Sequence, residues 1–119
     1  MNGSFLLDTN VVIRLLRGDV DIRDRIAQQS RILVPVIAIG EVYFGAMKAA
    51  RAGDNLRRIN RFLTQVAVLE CNAASAYEYG LIRHELRIAG RPIPENDIWI
   101  AAAARQHDLT LVSRDSHFA

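Results

Sequence analysis

Four acidic residues occupy positions from which carboxylates can converge. Asp8 follows directly on the apolar run Ser4-Phe5-Leu6-Leu7, and Asp115 comes three residues after Leu109-Thr110-Leu111-Val112. Asp97 stands beside Asn96 at the head of an alanine-rich segment. Glu41 has Ile37, Ala38, Phe44 and Gly45 at helical distances before and after it. A carboxylate on an otherwise apolar helix face is costly to bury unless something compensates its charge. Carboxylates gathered together repel, so they call for a cation. Mg²⁺ suits such a set, because it takes oxygen ligands and often only one or two carboxylates directly. No His and Cys cluster with zinc spacing competes for that role.

Each acid also has a plain structural reading. Asp8 suits the N-cap of a following helix, and Asp97 suits a first-turn position favoured by the helix macrodipole. Asp115 suits a turn. Glu41 can snorkel to solvent or pair with an arginine. Three of them fall at strand ends or a helix start on one predicted edge and the fourth is an inward-facing Glu, which together favour chemistry over four unrelated structural roles.

That scaffold follows from the hydrophobic pattern. The runs 4–7, 32–34, 66–69 and 109–112 are short and unbroken, as strands covered on both faces should be. Between them lie segments with helical spacing: 11–17 ending at Gly18, 22–29, 38–51, and one capped by Asp54 with Leu56, Ile59, Phe62 and Leu63 as its apolar stripe. Two more follow, 73–89 ending at Gly90 and an alanine-rich helix capped by Asn96 and running to about Gln106. Gly90-Arg91-Pro92-Ile93-Pro94 must be a loop. Strands alternating with helices predict an α/β domain with a short, mainly parallel sheet between helical layers. In such folds the active site lies beyond the carboxyl ends of the strands, which is where Asp8 and Asp115 fall.

The composition fits this picture. A chain of 119 residues, half of them apolar and 24% charged, suits one domain with a single core. No apolar run is long enough to span a bilayer, and Met1 to Leu7 lacks the basic start of a secretory signal. Cys71 is alone, so no internal disulfide forms, and a cytoplasmic location is expected. The net charge is only +2, but fourteen arginines stand against one lysine, Lys48. Arginine's planar fork suits phosphate, although codon bias explains the same excess.

The blocks Phe5-Leu6-Leu7-Asp8-Thr9-Asn10, Ile39-Gly40-Glu41-Val42-Tyr43-Phe44-Gly45, Pro94 to Ala102 and Thr110 to Phe118 resemble, in order, the four acid-bearing motifs of PIN-domain nucleases. The resemblance spans nearly the whole chain and is closest to the VapC-type toxins of toxin–antitoxin pairs. It implies a three-layer α/β/α PIN-like domain covering residues 1–119. It further implies dependence on Mg²⁺ or Mn²⁺, homodimerisation, a VapB-like antitoxin, and endonucleolytic cleavage of structured RNA. Members of the family usually carry a further strand after the position of Ala119.

On this reading Asp8, Glu41, Asp97 and Asp115 hold one or two ions, with Asp8 and Asp97 as the most direct ligands. Hydrolysis by water should leave a 5′ phosphate and a 3′ hydroxyl. Thr9, Asn10, Asn96 and Ser113 are candidates to orient the carboxylates, with ordinary capping as the alternative role. Arg83, Arg87, Arg91 and Arg114 are candidates for contact with RNA phosphate or antitoxin carboxylates. Tyr77 and Trp99 sit at core-like positions, and His117 has no visible partner that would make it a base. A haloacid-dehalogenase-type phosphatase also begins with an apolar strand and an Asp, but it needs a second acid where Asn10 stands. The remaining alternative is a nuclease-inactive PIN domain that binds RNA or protein.

Overall fold

The computed structural model describes residues 4–28 and 31–113. In chain order the elements are β1 (Ser4–Leu7), α1 (Thr9–Leu16), α2 (Val20–Ala27), β2 (Arg31–Pro35), α3 (Val36–Met47), α4 (Ala52–Leu63), β3 (Ala67–Leu69), α5 (Ala73–Ala89), α6 (Glu95–Gln106) and β4 (Thr110–Val112). The strands form one parallel sheet in the order β3-β2-β1-β4. The three-layer α/β/α reading therefore holds. Leu6, Leu7, Leu33 and Val34 are buried because helices cover both faces of the central strands.

The main core joins these strand residues to Val11 and Val12 of α1, Ala38, Ile39 and Val42 of α3, Ile59 of α4, and Ile100 and Ala103 of α6. Burying one such aliphatic side chain is worth about 1.5–3 kcal/mol, so these contacts hold the helices to the sheet. A smaller cluster of Ile82, Ile98 and Ala102, with half-buried Tyr79, Leu86 and Ile93 against it, fastens α5 to α6.

Several boundaries differ from the expected ones. Helix α4 starts at Ala52, so Asp54 is a first-turn acid rather than the cap, and the N-cap is Arg51. Helix α6 starts at Glu95, with Pro94 at the N-cap and no side-chain cap bond. Proline presets the backbone for helix entry, and Asn96 is displaced into the exposed first turn. Helix α3 begins at Val36, directly after Pro35, and ends at Met47, short of the predicted Arg51. Tyr77 is not a core residue: it is 66% exposed, because α5 turns Ser75, Tyr79, Ile82 and Leu86 inward. Trp99 is half-buried and stacks on Tyr79 at 4.2 Å between ring centroids. Gly18 and Gly90 end α1 and α5 as expected, with φ of +85° and +66°.

Candidate active site

The register of the sheet builds the site. Leu7 at the end of β1 lies beside Val112 at the end of β4, and the Asp8 N–H donates to the Val112 carbonyl at 3.2 Å. Residues 8 and 113, distant in sequence, therefore leave the same edge side by side. The Ser113 hydroxyl donates to Asp8 Oδ2. The other oxygen, Oδ1, accepts from the Val11 N–H at 3.0 Å, so Asp8 is also the N-cap of α1. The capping and site readings of Asp8 are thus compatible: the cap bond occupies one oxygen and fixes the carboxylate's orientation.

Asp8 is only 3% exposed. Its partners are a backbone amide and a hydroxyl, and no cation pairs with it among the described residues. Burying a carboxylate costs several kcal/mol unless charge or hydrogen bonds compensate it. The N-terminal end of α1 offsets part of that cost through its macrodipole.

Glu41 projects from α3 as a half-buried side chain. The compensation its apolar neighbourhood demanded comes from α1: the Thr9 hydroxyl donates to Glu41 Oε1 at 2.5 Å. Thr9 follows Asp8, so the residue that anchors Glu41 is held in place by the helix that Asp8 caps. Glu41 also lines a cleft of about 330 Å³ between α1, α3 and α4. Asp97 is half-buried in the first turn of α6, the helix that inserts Ile100 into the same core. Asn10 and Asn96 are exposed. Arg114 and Asp115 lie outside the described residues, as does His117.

Among the described residues no three His, Cys, Asp or Glu side chains come together as a group able to hold a metal ion. The local donors nevertheless suit a hard cation. They are all oxygens, and the most buried of them is a carboxylate without a cationic partner among the described residues. Burial pushes the Cys71 thiol up, the direction opposite to that of an activated cysteine.

Thr9 and Ser113 do orient carboxylates, as their positions suggested, but the sequence did not say which carboxylate each one holds. The Thr9–Glu41 and Asp8–Ser113 pairings join residues 32 and 105 positions apart, and only the packing of α1 on α3 and of β1 on β4 specifies them. A second polar knot joins Asn72, Ser75 and Gln106. Asn72 and Ser75 cap α5 reciprocally, and the Ser75 hydroxyl donates to Gln106 Oε1 at 2.5 Å. The sequence pattern placed the helix at 73–89 without identifying its cap, and the partnership with Gln106 depends on α5 packing against α6.

Residues 5–119 match the family model of the PIN domain. The chain belongs to the PIN domain family. Within it the likeness runs to VapC proteins. The chain is 37% identical over 113 residues to ribonuclease VapC2 of Haemophilus influenzae, covering 93% of this chain and 86% of that protein. It is 32% identical over 114 residues to the tRNA(fMet)-specific endonuclease VapC of Shigella flexneri, covering 94% and 86%. A DNA-bound VapBC complex from Salmonella typhimurium contains a chain that superposes with a TM-score of 0.91 at 30% identity, over 99% of this chain and 91% of that one. Among the described residues of this PIN domain, no helix is long and apolar enough to cross a membrane.

Proposed function

We propose that this PIN domain is a VapC-type endoribonuclease toxin that depends on Mg²⁺ or Mn²⁺ and hydrolyses phosphodiester bonds in structured RNA. It works as a cytoplasmic homodimer restrained by a VapB-like antitoxin. The observation that carries this reading is the buried Asp8 carboxylate at the carboxyl edge of the sheet, oriented by Val11 and Ser113 and unpaired with any described cation. The likeness to curated VapC ribonucleases, and to VapC chains solved with antitoxins, supports the substrate class and the partner.

Asp8 and Asp97 would hold the ion most directly, with Glu41 and Asp115 completing the set. Held by these carboxylates, a divalent cation would supply Lewis-acid chemistry toward the scissile phosphate and the attacking water. The protein's own part is positioning. Val11 and Ser113 hold Asp8 in one rotamer, and Thr9 holds Glu41, so little reorganisation remains when substrate arrives. The burial of Asp8 keeps water away from the charge and strengthens the local field.

The test is cleavage of total cellular RNA by purified, antitoxin-free protein with Mg²⁺, with EDTA, and as Asp8→Asn. Discrete products ending in 5′ phosphates, lost with EDTA and reduced at least about a hundredfold in the variant, are expected. Cleavage that survives both treatments would overturn the acid-and-metal reading. A folded wild-type protein that cuts nothing would instead fit a binding module.

A further inference from the structure

A second concavity lies between the end of α5 and the start of α6. This open cavity of about 560 Å³ is floored by Leu86, Ile93 and Ile98 and ringed by Arg83, Arg87 and Arg91. Its one acid, Glu95, is already engaged. Arg83 Nη1 donates to the Tyr79 hydroxyl at 2.7 Å, and that hydroxyl donates to Glu95 Oε1 at 2.6 Å. Arg83 also lies 3.6 Å from Glu95 as an ion pair. Arg87 and Arg91 have no carboxylate partner among the described residues, so two positive charges face the cavity uncompensated.

The fold arranges this deliberately. Gly90 takes φ +66°, and the Gly90 and Arg91 N–H groups bond back to the Arg87 and Leu86 carbonyls at 3.1 and 3.0 Å. The αL turn reverses the chain so that Arg91 returns beside Arg87 instead of continuing away along α5. The start of α6 contributes Glu95 and Ile98 to the cavity wall. These two residues bracket Asp97, so the cavity lies beside the helix turn that carries that acid.

We propose that this cavity is a phosphodiester subsite, in which Arg87 and Arg91 grip the RNA backbone and Arg83 is a fixed third cation. The anion is taken as RNA because the proposal rests on the ribonuclease reading. It assigns the α5–α6 loop the task of setting the substrate's path past Asp97. The contacts are to backbone, so they supply affinity and orientation rather than base choice.

The experiment measures binding of a fluorescein-labelled, mixed-sequence RNA oligonucleotide in EDTA, across a salt series. It compares wild type with Arg87→Ala/Arg91→Ala and with Arg31→Ala/Arg61→Ala, which removes the same charge elsewhere. All variants must melt at the wild-type temperature, and Arg87→Lys/Arg91→Lys serves as a partial rescue. Expected is a weakening of about tenfold for the cavity variant only. The slope of log affinity against log salt should fall by about 1.4, the value for two lost phosphate contacts on a single strand. Unchanged affinity and slope, or an equal loss in the control variant, would overturn the proposal. So would retained RNA binding with collapsed affinity for the co-expressed antitoxin, which would assign the cavity to a protein partner. RNA held through these arginines by a protein that cleaves nothing would uphold the subsite while removing the nuclease reading.

Discussion

Asp8 and Ser75 are the two buried polar side chains among the described residues, at 3% and 0% exposure, and they are buried in opposite ways. Ser75 sits in a closed circuit. Its hydroxyl accepts from the Asn72 N–H at 3.0 Å and donates to Gln106, whose amide nitrogen donates back to Asn72 Oδ1 at 2.9 Å. Every group there is neutral and satisfied, and the circuit ties the start of α5 to the end of α6. Asp8 is held by two neutral donors, yet no described cation offsets its charge. The first arrangement is what stability alone requires of a buried polar group. The second retains a cost that a structural role would not demand, and such costs gather where function needs them.

The sharpest way to break this contrast is Asp8→Asn. Beyond the loss of cleavage, added Mg²⁺ should raise the melting temperature of the wild type and not of the variant, because only a ligand bound to the folded state stabilises it. Equal shifts in both would remove Asp8 from the ion's ligands. Removing its supports should have a smaller effect. Ser113→Ala and Thr9→Val are each expected to lower activity about 10–100-fold, the scale of losing an orienting partner, with an intact fold by circular dichroism. Wild-type turnover in both would reduce these hydroxyls to ordinary helix-end bonds.

Ser75→Ala should behave in the reverse sense. It leaves Gln106 and Asn72 short of a partner and should cost about 1–3 kcal/mol in chemical denaturation, with activity per folded molecule retained. A catalytic defect without destabilisation would contradict the division drawn between the two sites.

The smallest effect belongs to the surface. The Ile22 backbone N–H, with Arg14 nearby, holds the Asp19 carboxyl below the usual carboxylate range. The hydrogen-bonded Arg105 does the same for Glu85. Carboxyls lowered by folding stabilise the native state above their unfolded values, and that contribution fades as pH falls through the folded ones. Both groups are exposed, so a Glu85→Gln variant should lose only a shallow part of the acid limb of a stability–pH curve, and less still in high salt.

Much of the scaffold was legible without coordinates, for identifiable reasons. The strand segments are short and largely apolar, the pattern of a parallel strand covered by helices, and the central strands β1 and β2 are the ones buried. Gly90 marked the end of α5 because it could take the left-handed conformation there. Asp8 was readable as the first polar residue after a buried strand, and the PIN motifs placed Glu41 and Asp97 on their helices. The cap assignments were less legible. Asp54 and Asn96 have the right chemistry for a cap, but Arg51 and Pro94 occupy those positions, and the two polar residues fall in the first turn instead. Tyr77 failed similarly, since helical spacing defines a face but not which face is buried.

By itself the sequence determined which segments are strand or helix and which residue types are available for chemistry, since both follow from local pattern and side-chain identity. Tertiary structure decided the strand order β3-β2-β1-β4 and brought Ser113 onto Asp8 and Thr9 onto Glu41. It also decided that Arg87 and Arg91 share a cavity with an acid already engaged. The physical reason is that these pairings depend on the register and packing of elements far apart in the chain. Local preferences cannot encode a contact whose partner lies a hundred residues away.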